Sequence, residues 1–403
     1  MPRLGWACTR GIATMNSIAL LCFAFVQTPA WHAVTPDVDM TPWPNNQIWT
    51  HCYGGSDGVV WMVWSSSGEV FAQARDIVTL DAVSGLTHVN TTTTLQQDEP
   101  QVVRLADGRV VIAWSDRSSQ WTQYMSAQYS VLAATGAVLV PETPLWSLPA
   151  SAETSWAPVL DVTRDGGFVA AWTGGWNEYS YARVFGPDLV PLGPEFLLHD
   201  ADAFKHDSPD VCEVRNGGFV AVHMDGGVAT PKDITAKWLT PAGTLTALAE
   251  TVPQLGQQWF PHVATDRRGI VVSVWDGDPG QDIYLRRWSF TGRALGHVEN
   301  LTGGVGSHRD AEIAMSGRNG GLAVWEDVGN NVISVQQISR LGASIGSPFA
   351  ANAHPLGAQF PGEPGRRVPD VWIAPNGKIA VVCWTSASPG GTDQDSWAVT
   401  LRK

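Results

Sequence analysis

Cysteine, positive charge and long apolar runs are all scarce in this chain, and each shortage closes off an option. There are five cysteines in 403 residues. Two lie in the first 22 residues, which leaves Cys52, Cys212 and Cys383. A small odd set is not a disulfide framework. A Cys52–Cys383 bond is one arrangement and three buried free thiols the other. Lys and Arg number 25 against 38 Asp and Glu, a formal charge of −13. No basic patch is offered to phosphates, so a nucleic acid or an anionic membrane is excluded as partner. Past the N-terminus no apolar stretch is long enough to span a bilayer. The Gly-x-Ser-x-Gly pattern occurs at residues 54–58 and 342–346, but each lies in a turn between strand-like runs and not before a helix, so neither reads as a serine nucleophile elbow. A His-Glu-x-x-His helix is missing, as is the Asp box of sialidases.

At 44% hydrophobic and 16% charged residues, the composition is that of a globular protein, not a disordered one. The N-terminus reads as an export signal over residues 1–30. Arg3 and Arg10 supply positive charge, residues 17–26 form a short apolar run, and Thr28 and Ala30 allow cleavage after Ala30, with Ala33 a second choice. Cys22 lacks the small preceding residue of a lipidated cysteine. A soluble protein, secreted or periplasmic, is expected, with residues 34–403 as its single domain.

What is abundant is one repeated sentence. It runs proline, alternating apolar strand, Asp-Gly or Asn-Gly, second apolar strand, tryptophan. Residues 157–172 are the clearest copy. Seven copies end at Trp64, Trp114, Trp172, His223, Trp275, Trp325 and Trp384. The spacings are 50, 58, 51, 52, 50 and 59 by subtraction, a period suited to propeller blades. Each copy reads as a hairpin whose Gly supplies the positive φ of a tight turn. A further pair of strands follows each Trp. The prediction is an all-β, seven-bladed β-propeller with four-stranded blades. The last unit is one strand short, and residues 34–40 are expected to supply it, so that no strand edge stays open. The repeated Trp is read as packing between blades, and His223 as a packing substitution.

Counting strands sorts the loops. The Asp-Gly turns lie on one face. The links between blades and the loops after each Trp lie on the other, around the channel mouth. That mouth is the default ligand site. The candidates on it are Glu99, Trp156, His206, Asp207, Trp259, His308, Arg309, Asp310 and Arg367. Aromatic rings with carboxylates, imidazoles and guanidiniums suit a sugar, whose faces stack and whose hydroxyls need hydrogen bonds. Asp276, Asp278 and Asp282 space carboxylates as a calcium loop does, without the glycine and terminal Glu of an EF-hand. No other cofactor is expected. Arg367-Val-Pro369 echoes the Arg-Ile-Pro of sialidases, but Pro369 falls in phase with Pro100, Pro158, Pro209 and Pro261 and is structural.

The form proline, Asp-Gly, apolar run, Trp, Asp-rich loop, then a strand such as residues 282–287 resembles repeats of secreted bacterial proteins in the sialidase-like propeller superfamily. The resemblance covers about 47–403 and implies architecture alone, because that superfamily holds hydrolases, lyases and lectins. Two readings stay open. One is a non-catalytic module binding a glycan or an extracellular protein. The other is a glycoside hydrolase or polysaccharide lyase with its site at the same mouth. The loops after each Trp differ between units, which argues against a multivalent lectin. A monomer is expected.

Overall fold

The computed structural model describes residues 30–40, 46–117, 125–147, 154–175, 177–199, 205–226, 232–252, 256–278, 281–304, 306–353, 368–387 and 394–403. The export-signal reading of residues 1–30 falls, Ala30 apart, outside them, as does Arg367. Seven antiparallel sheets stand around an axis, with no helix among the described residues. The inner strands of blades 1 to 7 are Gln47–Gly54, Gln97–Arg104, Ser155–Val162, Lys205–Glu213, Gln258–Thr265, His308–Ser316 and Asp370–Ile373.

Each inner strand turns back through the predicted Gly turn into a strand that ends at or just past the repeat's Trp or His. Gly166, at φ 94°, shows why these turns need glycine. The second strands are buried almost throughout because both their faces meet a neighbouring blade.

The core is not one mass but seven seams. Each apolar cluster joins residues of two adjacent blades. Trp384 packs with Leu322 and Val335 of blade 6, Trp325 with Val274 and Ile283 of blade 5, and Trp275 with Val222 and Trp238 of blade 4. Trp172, Trp114 and Trp64 do the same toward blades 2, 1 and 7. The apolar cluster between blades 3 and 4 contains no Trp among the described residues. There the slot is His223, fully buried.

Blade 7 has only three strands of C-terminal origin. Its outer edge is completed by two short N-terminal strands, His32–Ala33 and Val38–Asp39, both antiparallel to Gln394–Arg402. The strand begins two residues earlier than expected and is broken in the middle. Pro36, which has no N–H to give the ladder, sits in the break. Trp31 and Met40 bury themselves on either side of it. Cys52, Cys212 and Cys383 are buried free thiols. Cys52 and Cys383 meet across the seam that closes the ring.

Candidate functional site

The inner strands do not run straight into the channel mouth. Blades 1 to 6 each carry a register slip near the start, between Ile48 and His51 in blade 1 and between Asp98 and Gln101 in blade 2, for example. A residue with positive φ sits in each slip: Trp49, Glu99, Ala157, Ser208, Phe260 and Asp310, at φ between 48° and 59° by the extremes of Ala157 and Trp49. Such a bulge re-aims its side chain, and a left-handed non-glycine residue is strained unless held. In blades 3, 4 and 6 the holder belongs to the preceding blade and directly follows its Trp. The amide of Ala157 donates to Ser115 Oγ at 2.8 Å, that of Ser208 to Thr173 Oγ1 at 3.0 Å, and that of Asp310 to Asp276 Oδ2 at 2.8 Å.

The bulges build the rim of a mouth of about 250 Å3, lined by Trp49, Glu99, Trp156, Phe260, Asp310 and Val368, among others. The residue two places after each bulge forms the floor. These are His51, Gln101, Val159, Asp210, His262 and Glu312, with Asp370 completing the ring from blade 7. Gln101 Nε2 lies 3.0 Å from His51 Nε2, and His51 Nδ1 lies 3.5 Å from Asp370. On the other side His262 Nδ1 is 2.7 Å from Glu312 and 3.6 Å from Asp210. Burial alone would lower the His262 pKa, but the charge of Glu312 and the bonds to both carboxylates outweigh it, so it stands well above its ordinary value. His262 thus lies between two acids, with ligating atoms of all three within 4.8 Å of one another. Burial raises Glu312, and its partner His262 opposes that.

Below this floor the channel widens into a second cavity of about 900 Å3 that opens among the Gly turns. Those turns are not bare, as their shortness suggests in the sequence. Arg164 donates to the carbonyls of Arg215 and Arg267, both at 2.5 Å, and Arg267 reaches Asp161 at 3.4 Å. Guanidiniums of blades 3 to 5 are thus tied to neighbouring backbone.

Of the residues singled out in the sequence, Glu99, Trp156 and Asp310 line the mouth. Glu99 accepts from Ser115 Oγ at 2.8 Å and lies 3.8 Å from Arg117. Asp310 is buried, 3.8 Å from Arg309. Asp207, Trp259 and Arg309 do not line it. Asp207 lies 3.7 Å from Lys232, Trp259 packs on the seam of blades 4 and 5, and Arg309 bonds Glu326 at 2.8 Å. His206 and His308 are 3% and 5% exposed and turn into their blades. Each lies beside the carboxylate opposite it, Asp225 at 3.4 Å and Asp327 at 3.8 Å. Gln97 makes the same pairing with Asp116 at 2.7 Å. The calcium-loop carboxylates are not brought together. Asp276 holds the Asp310 bulge, while Asp282 accepts from Asn300 at 2.9 Å, Thr302 at 2.6 Å and Gly304 at 3.1 Å.

Sequence reasoning missed Trp49, Phe260, His51, Gln101, His262 and Glu312. A usable cue existed. In the copies with a proline, the residue before it is rim and the residue after it is floor.

The fold has solved counterparts. A protein of unknown function from Dyadobacter fermentans superposes at TM-score 0.57 and 10% identity, covering 93% of this chain and 99% of that one. A polysaccharide lyase matches at 0.57 and 9% identity, covering 92% and 100%. An α-L-arabinofuranosidase of Fusarium graminearum matches at 0.51 and 11%, covering 92% and 98%. At such identities the likeness is one of fold. No family model matches the chain, and no curated protein does.

Proposed function

We propose that the protein is an exported carbohydrate-binding propeller whose ligand enters the bulge-built mouth without being cleaved. One observation carries the reading. Trp49, Trp156 and Phe260 stand around a floor of His51, Gln101, His262 and Glu312, which pairs apolar ring faces with hydroxyl-bonding groups. A space of about 250 Å3 falls just below the roughly 300–1,000 Å3 of sites for larger ligands, so one sugar unit of a chain is the natural occupant. The carboxylates favour binding over chemistry because they already have structural work. Asp210 and Glu312 share His262, Asp370 holds the neighbouring strand, and Glu99 is bonded to Ser115. The lyase and the arabinofuranosidase that share the fold act on carbohydrates by their names, which agrees with this class of ligand.

The 2.7 Å His262–Glu312 pair favours a second reading, a hydrolase or lyase with that pair as acid and base. A glycan array on the protein lacking residues 1–30, with reducing-end and unsaturated-product assays on polysaccharides, separates the two. Binding without product is expected. Turnover abolished in Glu312→Gln would establish the second reading instead, and no binding to any glycan would remove both.

A further inference from the structure

The seam between blades 3 and 4 is where the repeat gives up its tryptophan, and polar rings fill the place. His223 occupies the slot, and His206 lies beside it with ring centroids 5.5 Å apart. His199, at the end of blade 3, stacks on His206 at 3.8 Å. Asp225 lies two residues past His223 on the same strand. Ligating atoms of His206, His223 and Asp225 all come within 4.8 Å of one another. Neither ring nitrogen of His223 has a hydrogen-bond partner among the described residues, although the ring is fully buried. Trp64, Trp172, Trp275 and Trp325 each leave an indole N–H bare in the same slot, but His223 leaves two nitrogens bare, and a neutral imidazole offers on one of them the lone pair that an indole lacks.

We propose that His206, His223 and Asp225 form a binding site for a divalent transition-metal ion, zinc by its donor set. Two imidazoles and a carboxylate with no thiolate are ligands zinc accepts. Zinc bonds of about 2.0–2.1 Å in tetrahedral array put ligand atoms roughly 3.4 Å apart, and His206 Nδ1 stands 3.4 Å from Asp225 Oδ1. Thr235 Oγ1 donates to the other oxygen, Asp225 Oδ2, at 3.1 Å, the outer-shell contact that fixes a ligating carboxylate. The Asp225 side chain is 31% exposed, which gives the ion a route from solvent and leaves a fourth position for water. Two other groups meet the same distance, Asp210, His262 and Glu312 in the channel and Cys52, Asp370 and Cys383 at the closing seam, but His262 is already paired with both acids and Asp370 already holds the Cys52 and Val371 amides.

The test uses the untagged chain lacking residues 1–30, freed of metal by chelator and titrated with zinc, with cobalt as a coloured probe of the ligand field. One equivalent of zinc should bind, and cobalt should give a tetrahedral spectrum. His223→Trp, which restores the residue of the other blades, and Asp225→Asn should each weaken binding by roughly 100-fold or more, since loss of an outer-shell partner alone costs about 10–100-fold. His262→Gln should bind zinc as the parent does. No stoichiometric binding by the parent, equal binding by a folded His223→Trp protein, or loss confined to His262→Gln would each overturn the assignment.

Discussion

The carboxylate of Asp370 accepts the backbone N–H of Cys52 at 2.7 Å, across 318 residues of sequence. Its other oxygen takes the amide of Val371 at 2.7 Å. The same bond recurs where Asp210 accepts from Val263 at 2.7 Å and Asp161 from Glu213 at 3.0 Å. A carboxylate on one inner strand thus fastens the inner strand of the next blade. At Asp370 the fastened strands belong to the last and first blades.

Burial alone would raise Asp370, but His51 and the two amides prevail and hold it below the ordinary aspartate value. A carboxylate depressed in the folded state stabilises above its unfolded pKa, and that contribution fades as pH falls through the folded value. Asp370→Asn should cost about 3 kcal/mol at neutral pH, the scale of a lost charge-assisted bond network. Urea unfolding of both proteins should show the gap closing below pH 4 or so. A gap that is constant with pH would mean the carboxylate charge is not what holds the strand.

Asp98 behaves in the opposite sense. Burial first, then the neighbouring Glu99, push it up to about 6 against the pull of Arg117. Between 3.8 and about 6 the folded protein keeps a proton that the unfolded chain has released. Stability should therefore fall as pH rises through that window. Carboxyl NMR should place the Asp98 titration near 6, and Asp98→Asn should flatten the stability slope over the same range. An Asp98 that titrates near 4 contradicts this.

Trp275 is fully buried in the seam of blades 4 and 5. Trp275→Ala should cost roughly 3–5 kcal/mol, as large aromatics lost from cores do, read by urea denaturation. A loss under about 0.5 kcal/mol is that of a surface residue and would contradict the seam packing.

Removing residues 31–40 should destabilise the whole ring, not fray one edge. Trp31 and Met40 leave two apolar clusters at once, a loss of about 3 kcal/mol or more. Thermal unfolding with a single, lowered midpoint is the expected result. An unchanged midpoint would show that blade 7 does not need its outer strands.

At the mouth, Trp156→Ala and Phe260→Ala should each weaken a glycan found on the array by about two- to tenfold, the scale of roughly 0.5–1.5 kcal/mol for an aromatic stacking contact. Arg268→Ala, beside the opposite cavity, should leave affinity alone. The reverse pattern would move the ligand to the Gly-turn face.

The blades were legible because their rules are local. Gly166 needs its positive φ whatever surrounds it, and Trp172 sits at the same offset from it as Trp114 does from Gly108. The site was less legible because one inserted residue inverts everything after it. His206 and Asp207 precede the bulge at Ser208, so a plain count from the proline puts them on the rim. The slip leaves the rim to the bulge residue itself and hands the floor to Asp210. Which side chains then meet across the axis, as His262 meets Asp210 and Glu312, depends on seven strands closing and is written in no single copy. His223 could be recognised as the odd member of its series, but its neighbours His199 and His206 are brought to it only by the seam.

The paired residues His32 and Arg402 have a consequence for the order of events during folding. Six blades can form as soon as their own fifty or so residues are available. The seventh cannot, because its two halves lie at opposite ends of the described chain. Non-local pairing of this kind is entropically slow. Until it happens, the outer edge of Gln394–Arg402 and the exposed flank of blade 1 are both open to other chains. A chain held by a chaperone until Gln394–Arg402 is free to pair would be spared that interval. One stalled a few residues short would carry six finished blades and two adhesive ends.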